Sequence, residues 1–132
     1  MNGLPVVVIP CAGLFAALFA TAAAAGGNVE AGRRLAEHHC ARCHVISPDI
    51  NPYGGINSTP SFPLLARRDD WLERFQTFYE RRPHPVFVRI PDVPRWTKLP
   101  SHVKEFTIQP TDIDDIIAFV EALRAQKKNK SQ

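Results

Sequence analysis

Methionine occurs once in the 132 residues, at position 1, so from Asn2 onward no thioether is available to any site the chain builds. Cysteine is scarce too, at Cys11, Cys40 and Cys43 only. The net charge of +3 is a small excess that gives no support to nucleic-acid binding. No internal repeat and no convincing alternating strand pattern occurs, which removes the β classes and leaves an all-α reading. What is present, 45% hydrophobic and 22% charged residues, excludes disorder and fits one small globular domain whose core would gain from an added staple.

Charge is absent from Leu4 to Ala25, LPVVVIPCAGLFAALFATAAAA. An apolar run ending in small residues reads as a secretory signal peptide over 1–25, although no Lys or Arg precedes it. The run approaches the ~20 residues of a bilayer span, so retention as an anchor is the alternative, with Pro5 and Pro10 against it. Cys11 leaves with a cleaved signal. The domain is then 26–132, its basic tail beginning at about 126, with Cys40 and Cys43 as its cysteines. Two thiols exported to an oxidising compartment are expected to be bonded or occupied.

Asn28 suits the cap of a helix running through VEAGRRLAEHHCARCH, with Val29, Gly32, Leu35 and Ala36 on one face. Gly32 costs ~1 kcal/mol there against alanine, which implies close approach by a second helix. Ten prolines between Pro48 and Pro110 indicate ordered loops wrapped around something. Thr59-Pro60 can start a short helix to Leu65. Asp70 and Glu73 resemble a capping box opening a helix with an apolar stripe at Trp71, Leu72, Phe75, Phe78 and Tyr79, stopped by Pro83. Its other face carries Arg67, Arg68, Arg74 and Arg81, read as solvated. Pro110 and Thr111 open the last helix, where Ile113, Ile116, Ile117, Val120 and Leu123 recur at helical spacing before a frayed lysine tail.

Cys40-Ala41-Arg42-Cys43-His44 admits four chemistries. Structural zinc wants a second Cys or His pair at short spacing, and none is present. A thioredoxin-like pair opens a helix in a βαβ unit, whereas this pair ends a helical segment. A Cys40–Cys43 disulfide closes too short a loop to staple the fold and leaves His44 unused. C-x-x-C-H is also the attachment signature of c-type haem, in which both cysteines bond the porphyrin and the adjacent histidine meets the iron. That reading uses every residue, and gives the loops a large apolar body to enclose.

With GRRLAEHHCARCH, then STPSF, then QPTDIDDIIAFVEALR, the chain resembles the small exported bacterial class I c-type cytochromes over about residues 28 to 125. The resemblance implies an all-α cytochrome c-like fold: three to five short helices with proline-rich loops around one covalently bound haem c per chain. It also implies a right-angle crossing of the first and last helices, Gly32 facing Phe119 or Leu123, and a carbonyl of Pro48 accepting a hydrogen bond from His44. The family's distal methionine has no counterpart. RPHPVF puts His84 at that place in the loop pattern, and PDVPRW puts Val93 there. His84 gives two nitrogen donors and a lower potential than a His/Met iron. Val93 gives an open position. His102 is a second candidate donor, with Lys98 or Lys104 more remote.

The functional expectation is an electron carrier rather than an enzyme: a monomeric periplasmic cytochrome meeting redox protein partners transiently, with membrane association only through a retained N-terminal segment. The alternatives are a sensor of NO, CO or peroxide with an open distal site, for which no acid/base pair is evident, or a fixed haem subunit of a larger oxidoreductase.

Overall fold

The computed structural model describes residues 26–130, with side chains described through Gln126. The apolar run at 1–25 and Cys11 lie outside the described residues. No described helix is long and apolar enough to cross a membrane.

Helix α1 spans Val29–Leu35 and continues as one π turn, Ala36–Cys40. Asn28 caps it as expected, its side chain accepting from the Ala31 amide. Helices α2 (Phe62–Leu65), α3 (Trp71–Gln76) and α4 (Pro110–Lys130) follow. Short 3-10 turns at Phe78–Glu80 and His84–Val86 lie between α3 and α4. The core gathers Ala36, Phe62, Phe75, Ile116, Phe119 and Val120 from all four helices.

Close approach at Gly32 is what the fold uses, but its neighbour differs from the expectation. A Cβ there would overlap the backbone of Asp115 and Ile116 rather than meet Phe119 or Leu123. Gly27 lies equally tight against Asp114, and the Asn28 amide donates to Asp115 Oδ1 at 2.6 Å. Backbone therefore touches backbone along α1 and α4, while Phe119 is left for the core. Val29, expected on the buried face, is 45% exposed.

The other expectations need smaller corrections. Ser61, not Thr59, caps α2, accepting from the Leu64 amide. Asp70 makes no cap bond at α3, because its carboxylate is held by Arg68 and Arg74 at 2.9 and 2.8 Å. Arg81 likewise pairs with Glu73, so three of the four arginines read as solvated carry ion pairs. Helix α3 ends at Gln76, well before Pro83, where the Thr77 hydroxyl bonds back to the Glu73 carbonyl. Helix α4 opens with a reciprocal bond pair, Gln109 amide to Asp112 carboxylate and Asp112 amide to Gln109 carbonyl. It stays helical to Lys130 through the lysines expected to fray.

One element lies outside an all-α reading. Strands β1 (Val88–Arg89) and β2 (Phe106–Thr107) pair in parallel, Val88 opposite Phe106. Two residues are too few to generate a period-two pattern, so no sequence signal existed for them. Their role is to close the loop from 90 to 105 against the rest of the molecule.

Candidate haem site

The π turn carries the i to i+5 bond from the Ala41 amide to the Ala36 carbonyl, and the Cys43 and His44 amides then both turn back to the Cys40 carbonyl. That tight reversal brings Cys40, Cys43 and His44 to one wall of a solvent-connected cavity of about 70 Å³. Asn51 fixes the reversal from behind: its side chain donates to the Ala41 and His44 carbonyls and accepts from the Ile46 amide. Gly55, at φ +79°, presses against the backbone of Cys43 and His44, and the next amide, Ile56, donates to the Cys43 carbonyl.

The remaining walls are mostly apolar, with Phe62, Leu65, Phe75 and Ile116 from the helices and Phe78, Phe87 and Phe106 from the turns and β2, joined by the polar side chains of His39, Arg74 and His84. The two cysteines are not bonded to one another. Burial first, and Cys43 second, push the Cys40 thiol up to about 12, the reverse of the lowered value a nucleophilic redox cysteine needs. Among the described residues no cluster of three or more His, Cys, Asp and Glu is arranged to hold a metal ion directly.

His84 faces His44 across the void. The two rings are 6.1 Å apart at their centroids and within 5° of parallel. Each is oriented by a carbonyl: His44 Nδ1 lies 2.7 Å from Pro60 O, and His84 Nδ1 lies 2.9 Å from Arg81 O. A carbonyl only accepts, so each neutral ring carries its proton on the Nδ1 that faces its carbonyl, and the Phe78 backbone makes a further contact with the His84 ring. Burial holds both below the ordinary imidazole value, opposed only partly by those carbonyl bonds. Phe62 meets His44 edge-on, and Phe78 meets His84 edge-on.

The residues fit a haem. Both rings line the cavity that holds the two thiols, and their 6.1 Å centroid separation is compatible with the ~6–6.5 Å that two imidazoles sharing one ion need at ~2.0–2.1 Å per metal–nitrogen bond. Two thiols stand on the same wall as His44, and the surrounding surface is aromatic.

Of the expected residues, Cys40, Cys43, His44 and His84 come together. His102 does not: it is exposed and lines a separate surface groove with Lys98 and Lys104. Val93 is 44% exposed and lines another groove beside Trp96. The partner of His44 is Pro60, not Pro48. Pro60 was available in STPSF, the segment that opens α2, but its carbonyl direction depends on the Ser61 cap. Asn51 and the pairing of Arg89 with Glu105 carried no sequence signal.

No protein-family profile matches the chain, and no solved structure matches it. Cytochrome c-552 of Bradyrhizobium diazoefficiens is 32% identical over 94 residues, which cover 70% of this chain and 72% of that protein. With that likeness across most of both chains, this protein belongs to the c-type cytochromes.

Proposed function

We propose that the protein is a mono-haem electron carrier, with haem c bonded to Cys40 and Cys43 and the iron held between His44 and His84. The parallel pair of imidazoles facing one another beside both thiols carries this reading. Haem, when bound, supplies a one-electron iron couple in a low-dielectric setting. Pro60 and Arg81 orient the two rings through Nδ1 and raise their donor strength. Phe62, Phe75, Phe78 and Phe87 line the space between them with apolar surface. With nitrogen donors from both His44 and His84, the potential would lie below that of a His/Met cytochrome.

In this reading the chain is exported, works in the periplasm as a monomer, and meets redox proteins briefly through a small interface. Retention of the 1–25 segment would add a membrane anchor. The test is protein purified from a host that matures c-type cytochromes. One haem retained covalently on the peptide containing Cys40 to His44, with reversible single-electron titration, supports the proposal. Colourless protein with the mass of bare polypeptide contradicts the attachment, and rapid CO binding by the ferrous protein favours an open-site sensor.

A further inference from the structure

The 3-10 turn that presents His84 is three residues long and has little stability of its own. Its amide bonds are few: His84 to the Arg81 carbonyl, Val86 to that of Pro83, and Phe87 to that of His84. The carbonyls at its exit, on Pro85, Val86 and Val88, find a single common partner. Arg89 donates to all three, at 3.0, 2.8 and 3.1 Å. The same guanidinium forks onto Glu105, Nε to Oε2 at 3.1 Å and the terminal nitrogen to Oε1 at 2.7 Å.

The Arg89 side chain is only 18% exposed, so these bonds are shielded from much of the solvent. Glu105 is in turn fixed at both ends. Its Oε1 also accepts from Arg95 at 2.7 Å, and the next residue, Phe106, starts β2 and donates to the Phe87 carbonyl. Phe106 stacks on His39 with centroids 4.3 Å apart and forms part of the cavity wall. A continuous set of bonds thus runs from the wall, through Glu105, to the backbone carrying His84.

We propose that Arg89, anchored by Glu105, is the positioning residue for the distal histidine and governs how often that histidine leaves the iron. The proposal rests on His84 being the distal ligand. Lysine cannot substitute, since one ammonium has neither the planar fork for a carboxylate nor the spread to reach three carbonyls together.

CO binding to the ferrous holoprotein reads detachment of His84, because an iron held by two imidazoles admits CO only after one departs. R89K is expected to bind CO about tenfold or more faster than wild type, toward the rate of H84A, and E105Q is expected to move the same way while leaving the guanidinium in place. R33K, which alters the Glu37 pair on α1, keeps the wild-type rate. Amide hydrogen exchange at Val86 and Phe87 rises by about tenfold in R89K and E105Q without change in α4. Folded R89K and E105Q with wild-type CO kinetics and exchange overturn the positioning role alone. H84A with an unchanged spectrum and CO rate overturns the ligand assignment, and the positioning role with it.

Discussion

Replacing Gly32 by alanine sets two effects of opposite sign against one another. In an isolated helix the change stabilises by about 1 kcal/mol, through lost unfolded-state freedom. In this protein the new methyl would overlap the Asp115 carbonyl and crowd the Ile116 amide, both of them α4 backbone. Backbone cannot rotate away as a side-chain tip does, so α1 and α4 must separate. The Asn28–Asp115 bond and the core beneath Ala36 and Ile116 separate with them. Overpacking of this kind costs about 1–3 kcal/mol and sometimes more. With rigid backbone on both sides, the upper part of that range applies, leaving a net loss of about 1–2 kcal/mol after the helix gain. At roughly 4–8 °C per kcal/mol for a domain of this size, the melting temperature of the holoprotein falls by about 5–15 °C. Thermal unfolding followed by circular dichroism checks this, with Gly26→Ala as the control because nothing lies within 4 Å of a Cβ there. A G32A protein as stable as wild type, or more so, would refute the reasoning.

Other expected outcomes follow from the site. Asn51→Ala leaves the Ala41 and His44 carbonyls and the Ile46 amide without their partner, a loss of about 1–3 kcal/mol measurable as a lower guanidinium midpoint. Gly55→Ala forces a side chain into φ +79° against the Cys43–His44 backbone; the strain of about 1–2 kcal/mol should appear as a reduced yield of protein carrying haem. His44 and His84 have depressed values when folded, so the folded state binds fewer protons than the unfolded chain. Their contribution is therefore complete above the ordinary value near ~6.5 and is lost as pH falls from there toward the depressed folded values. For polypeptide whose rings are free of iron, the denaturant midpoint should decline on going from pH 8 to pH 5, and a midpoint that rises over this interval contradicts the burial of the two rings. Asp70 and Glu105 are also depressed, each chiefly by hydrogen bonds from arginine, and their loss follows only in more acid solution.

Much of the framework was legible because its signals are local. The Asn28 cap, the apolar spacing of α4 and the C-x-x-C-H pentapeptide each lie within a few turns of chain, where one residue's chemistry fixes its neighbours. Gly32 announced a close contact but not its partner, since one glycine cannot say which backbone approaches it. The same limit applies to Pro60, whose carbonyl meets His44 16 residues away in sequence only after the intervening loop closes. Between His84, Val93 and His102 the sequence offered three loops of similar character. In the fold their surroundings differ, since Arg81 and the neighbouring phenylalanines hold His84 inward while His102 stays in solvent. Strands β1 and β2, and the Arg89 network that depends on them, are long-range pairings with no periodic trace.

Paramagnetic resonance of the oxidised mature protein tests the central claim most directly, namely that His44 and His84 grip one iron. A low-spin signal without the far-red sulfur-to-iron absorption, converted to high-spin by His84→Ala, is the predicted result. A high-spin wild-type signal, or a low-spin signal that His84→Ala leaves unchanged, would contradict it.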